Sequence, residues 1–96
     1  MNKRTNKYHL KLTMLKQALA SENLPEPLEL FFQNHDDLFA LMERIKEKNV
    51  FAEPSDSQEF IIGLKMFSEV MIKNRSHPLF EELLPAFRIF MEKLKR

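Results

Sequence analysis

The chain has 96 residues, a net charge of +1, 44% hydrophobic and 30% charged residues, a composition that fits one globular domain, 1–96, and excludes a disordered chain. It has no Cys, which removes disulfides, thiolate nucleophiles and Cys-ligated zinc together and fits a reducing compartment. Near-neutral charge gives little case for nucleic acid, and no apolar run has the ~18 residues of a membrane span or follows the basic start as a signal peptide would, so the expected location is the cytoplasm.

Residues 1–7 are polar and basic and are expected to be flexible. Tyr8–Met14 alternates with period two: Tyr8, Leu10, Leu12 and Met14 share one face, and Lys7, His9, Lys11 and Thr13 the other. That is the pattern of a half-buried strand. Residues 17–27 carry Ser, Asn and two Pro, which predicts a loop, with room for a helical turn near Lys16–Ala20. Leu28–Gln33 alternates again, with Leu28, Leu30 and Phe32 on one face. The two segments predict an antiparallel hairpin. Residues 1–16 hold five Lys or Arg and no acid, and residues 17–43 hold six acids and no Lys or Arg. Opposite signs on adjacent segments fit cross-strand pairing, with Lys11 or His9 near Glu29.

Asn34 has the chemistry of an N-cap, Asp36 and Asp37 suit the positive end of a helix dipole, and Leu38, Leu41, Met42 and Ile45 recur at helical spacing. This predicts a first helix over about 35–48. Ser55 followed by Gln58 fits a capping box at the start of a second helix. That helix is apolar over most of its circumference, with a wet stripe at Lys65, Glu69 and Lys73, so a central, sandwiched position is expected. Gly63, the chain's single glycine, costs helix propensity, which suggests close approach of another element there. Pro78 suits the first turn of a third helix. Leu79, Leu83, Phe87, Phe90 and Leu94, widened by Phe80, Leu84 and Met91, keep phase through Pro85. The expectation is one helix of about 78–94 kinked at Pro85. The fold class is therefore α+β, with the order β-β-α-α-α.

Two parts of this sequence resemble a small bacterial protein family catalogued only as a domain of unknown function. They are Asn34–Ala40 (NHDDLFA) and Gly63–Arg75 (GLKMFSEVMIKNR), the latter followed by Pro78–Phe80 and Pro85–Phe87. The resemblance covers most of Tyr8–Lys95 and is most specific in the C-terminal half. Residues 1–7, 17–27 and 49–58 do not carry it. It implies a bacterial, cytoplasmic α+β domain and supplies no catalytic or ligand residues.

The residues support no catalytic, cofactor or metal assignment. His35-Asp36 is a metal-type pair, but His9 and His77 lie on other elements without ligand spacing, and helix capping explains the segment without a metal. No Gly-x-Ser-x-Gly turn surrounds a serine, and a single glycine cannot make a phosphate-binding loop. Glu81 and Glu82 are adjacent on a helix and diverge. Lys73, Arg75 and His77 form a polar cluster at a helix junction, which gives a weak anion-contact candidate beside the simpler role of capping. Phe31 stands apart, because it faces outward between Glu29 and Gln33; Phe39 is a second candidate for an outward ring. An exposed Phe on an uncovered sheet points to a partner. The reading is a non-catalytic protein-interaction or regulatory module whose partner is another protein or itself as a homodimer. The alternatives are a small enzyme or a phosphate- or nucleic-acid-binding protein.

Overall fold

The computed structural model describes residues 4–19 and 23–96. Among these the elements are β1 (Asn6–Leu12), β2 (Leu28–Asn34), α1 (Leu38–Glu47), α2 (Pro54–Lys73), α3 (Pro78–Glu81) and α4 (Leu83–Lys95). The chain is thus α+β, and it divides into two compact units, Met1–Leu41 and Met42–Arg96. No helix among the described residues is long and apolar enough to cross a membrane.

In the first unit β1 and β2 pair antiparallel, from Asn6 opposite Asn34 to Leu12 opposite Leu28. The period-two pattern therefore reads correctly, although β1 begins at Asn6 and ends before Thr13 and Met14. Residues 1–3 of the expected flexible start lie outside the described residues. Residues 13–19 contain no helix, and Ala20, the end of the helical turn expected there, also lies outside the described residues.

The corner between β2 and α1 is held by β1. The Tyr8 hydroxyl donates to the Asp36 carbonyl at 2.9 Å and accepts from the Leu38 N–H at 3.0 Å. The Asn6 side-chain amide donates to the Asn34 and Asp36 carbonyls at 3.3 and 3.1 Å. Leu38 is buried, and the Tyr8 ring stacks on Phe32 at 5.3 Å. The expected N-cap at Asn34 is corrected. Asn34 is buried at the end of β2, and its side-chain oxygen accepts the Asp36 N–H, closing a turn. The cap is Asp37, which accepts the Ala40 N–H at 3.1 Å, so α1 starts three residues later than expected.

In the second unit α1 ends in a Schellman turn. Asn49 takes φ 54°, its N–H reaches the Lys46 carbonyl, and the Val50 N–H reaches that of Ile45. The Lys48 ammonium donates to the Leu94 and Arg96 carbonyls, which holds the end of α4. α2 begins at Pro54 with Glu53 as a cap that makes no side-chain bond, so the capping box at Ser55 is corrected: proline at the first helical position sets the start. Its buried stripe is Ser57, Ile61, Leu64 and Met71, while Phe67, Val70 and Ile72 are exposed, so an apolar circumference does not make this helix buried all round.

Gly63 is exposed, and a Cβ there would meet nothing within 4 Å. Among the described residues nothing makes the expected close approach. The single kinked third helix is also corrected. The chain makes the short α3 and then α4, separated at Glu82. Pro85 has no N–H for the Glu81 carbonyl, and its ring crowds that carbonyl, so the ladder breaks there instead of bending. Leu79 is left 73% exposed, and the inward face runs through Phe80, Leu84, Phe87, Met91 and Leu94.

Six of the phenylalanines form a continuous chain of ring contacts. Phe51 meets Phe60, Phe60 meets Phe90, Phe90 meets Phe87, Phe87 meets Phe67, and Phe67 meets Phe80, at centroid distances of 5.1 to 6.2 Å. Most of these pairs are edge-on, the geometry favoured by ring quadrupoles.

Two outcomes follow from this packing. Tyr8→Phe removes the hydroxyl but keeps the ring, so it strands the Leu38 N–H and leaves the Asp36 carbonyl to Asn6 alone, and it is expected to cost about 1–3 kcal/mol in a denaturant titration. Gly63→Ala adds helix propensity without a clash and is expected to gain roughly 0.5–1 kcal/mol. A loss of stability in the second variant would show that something packs against Gly63.

Candidate partner-binding face of the hairpin

The outer face of the hairpin is built by strand alternation. β1 supplies Lys7, His9 and Lys11, and β2 supplies Glu29, Phe31 and Gln33, the three residues singled out from the sequence. The register sets Lys7 opposite Gln33, His9 opposite Phe31 and Lys11 opposite Glu29. The charge partition of the sequence thus becomes a cross-strand pairing. The His9 imidazole lies flat on the Phe31 ring, at 4.5 Å and 10°. Its Nε2 is 2.7 Å from the Glu29 carboxylate. Next to them the Thr5 hydroxyl donates to the Gln33 side-chain oxygen at 2.9 Å.

His9 covers one side of Phe31 and leaves the ring 77% exposed. The ring is therefore held in place and yet presented to solvent. An open depression of about 270 Å³, lined by Lys7, Tyr8, His9, Phe31, Phe32 and Gln33, adjoins it.

Within the first unit, and among its described residues, the inner face is covered at one end only. Tyr8 and Phe32 are half-buried beside Leu38 and the turn at Asn34. At the far end Leu12 is 66% exposed, and its cross-strand partner Leu28 and the neighbouring Leu30 are exposed as well. A two-stranded sheet gains stability from cover on a face, and the described residues of the first unit leave most of both faces open.

The other sequence candidates lie elsewhere. At the junction after α2, the Asn74 side chain donates to the Val70 carbonyl at 2.8 Å, and His77 Nδ1 accepts the Leu79 N–H at 3.0 Å as the cap of α3. Lys73 and Arg75 flank these caps and are exposed. His35 is exposed, with Nε2 3.5 Å from Asp36. Phe39 is exposed, with its ring centroid 6.5 Å from that of Tyr8. Among the described residues, no group of three His, Asp or Glu side chains is placed to hold a metal. The sequence pattern singles out Phe31 but not the His9 platform beneath it, because the pairing of His9 with Phe31 depends on the register.

The architecture defines a small α+β domain in which a two-stranded sheet precedes a set of helices. The chain belongs to the domain family DUF3861, a domain of unknown function whose model matches residues 6–96. It is similar to a protein of unknown function from Pectobacterium atrosepticum whose crystal structure is solved. The two are 37% identical, the match covers 96% of this chain and 98% of that one, and the TM-score is 0.80. No curated protein matches the chain.

His9 and Glu29 are both about half exposed, so water screens their attraction. A double-mutant cycle with His9→Ala and Glu29→Ala is expected to give a coupling of roughly 0.2–1 kcal/mol, which falls as salt is raised. A coupling several times larger would mean that the pair is buried in solution.

Proposed function

We propose that this chain is a non-catalytic protein-interaction module of the bacterial cytoplasm, and that the hairpin is its contact surface. One observation carries the reading: Phe31 stands exposed at the centre of β2, fixed by the His9 ring and bordered by Glu29 and Gln33. An aromatic that is already ordered loses little side-chain entropy when a partner covers it, and such anchors supply a large part of the binding energy at interfaces. The polar rim formed by Lys7, Glu29 and Gln33 suits the border of such a contact.

The test uses immobilised wild-type chain and Phe31→Lys, each offered an extract of the native cell and the purified chain itself. Phe31→Lys is expected to weaken the captured association by roughly tenfold or more, equivalent to about 1.4 kcal/mol. Circular dichroism checks that the variant is folded. Equal capture by the two folded proteins would refute the hairpin as the contact surface.

A further inference from the structure

We propose that the partner of the hairpin is a second copy of this chain, joined through β2 in one register, so that two hairpins form a continuous four-stranded antiparallel sheet. This rests on the hairpin being the contact surface, and it adds the edge, the symmetry and the residue pairs.

Among the described residues the sheet has two strands, and each has one edge with no neighbouring strand. Among the described residues, no backbone hydrogen bond from a turn, loop or cap reaches Leu28–Gln33. An edge of this kind is a row of unpaired donors and acceptors that fits another extended strand. A strand lying antiparallel to its own copy satisfies twofold symmetry with the same surface on both sides.

Charge decides between the two edges. If β1 met β1 over its whole length, His9 would face His9 and Lys7 would face Lys11 twice. Like charges directly opposite one another repel. If β2 met β2 over its whole length, Glu29 would face Gln33 in both directions, a carboxylate opposite an amide that can donate to it. Leu30 would face Phe32, and Leu28 would face Asn34. β1 is thus guarded against self-pairing, and β2 is open to it.

The register follows from the same geometry. β2 has seven residues and Phe31 is the middle one. Asn34 is buried, so the open run is centred on Phe31, and a twofold axis between two Phe31 residues pairs Glu29–Gln33 with its own copy and sets each Glu29 against a Gln33. It also keeps outer side chains on the outer face, because both members of each pair have the same parity. The outer face then carries a row of four rings, His9, Phe31, Phe31 and His9. The open leucines of the inner faces lie on one wider sheet.

The chain has no Cys, so single cysteines can test each pair without background. Paired Cα atoms across an antiparallel ladder are about 4.5–5.5 Å apart, within the span of a disulfide. Under mild oxidation Phe31→Cys is expected to give a covalent dimer as its main product. Glu29→Cys alone and Gln33→Cys alone are expected to stay unlinked, and an equilibrated mixture of the two to link. His9→Cys is expected to stay unlinked. Sedimentation equilibrium of the wild type is expected to show a dimer. The mixture of Glu29→Cys and Gln33→Cys settles the question if Phe31→Cys does not fold. A wild-type monomer at micromolar concentration overturns the proposal, and so does a dimer whose β2 cysteines remain unlinked. If Phe31→Lys still loses capture from extract in those cases, the hairpin binds a different protein and only the second copy is ruled out. If capture is unchanged, the contact surface itself is wrong.

Discussion

The first unit depends on the hydroxyl of Tyr8. β1 and β2 form a ladder through their own backbones, but a ladder does not fix the direction in which the chain leaves β2. Tyr8 fixes it by bonding at once to the Asp36 carbonyl and the Leu38 N–H. The second of these is a helix N-terminal donor that has no partner within the helix. The same side chain lays its ring on Phe32. The chain's single tyrosine therefore joins strand pairing, the corner and the start of α1, and Asn6 reinforces it by reaching the same Asp36 carbonyl and that of Asn34. Phenylalanine could supply only the stacking.

The second unit is organised differently, by rings without polar handles. Six phenylalanines touch in series from Phe51 to Phe80, and hydrogen bonds are concentrated at the helix ends. The composition of nine Phe and one Tyr thus has a structural meaning. Eight of the phenylalanine rings meet other aromatic rings around Tyr8 or in this series, while among the described residues Phe31 has the His9 ring beneath it.

The strands were legible in the sequence because alternation survives any register, and Phe31 could be placed outside from that alternation alone. Contacts between residues far apart in the chain are not legible in this way. The Tyr8 hydroxyl meets groups about thirty positions away, and no local pattern encodes that. Helix starts were misplaced where two signals competed. Asn34 and Asp37 are both good caps, but Asn34 is already engaged in the turn to Asp36. Ser55 is a good cap, but Pro54 occupies the first helical position. Pro85 was ambiguous because Phe87 and Leu94 lie on the inward face whether the helix bends or breaks. Gly63 shows that scarcity of a residue type is not a packing argument.

The division of charge between the two strands ties their histories together. Glu29 stands opposite Lys11 in the register and bonds the neighbouring His9. Thr5 and Gln33, and Asn6 and Asn34, are likewise joined across the ladder. A single change of sign on either strand leaves a like-charged or unmatched neighbour opposite. Substitutions on one strand are therefore felt on the other: an exchange of Lys11 with Glu29 would keep opposite signs across that pair but take away the carboxylate that His9 bonds.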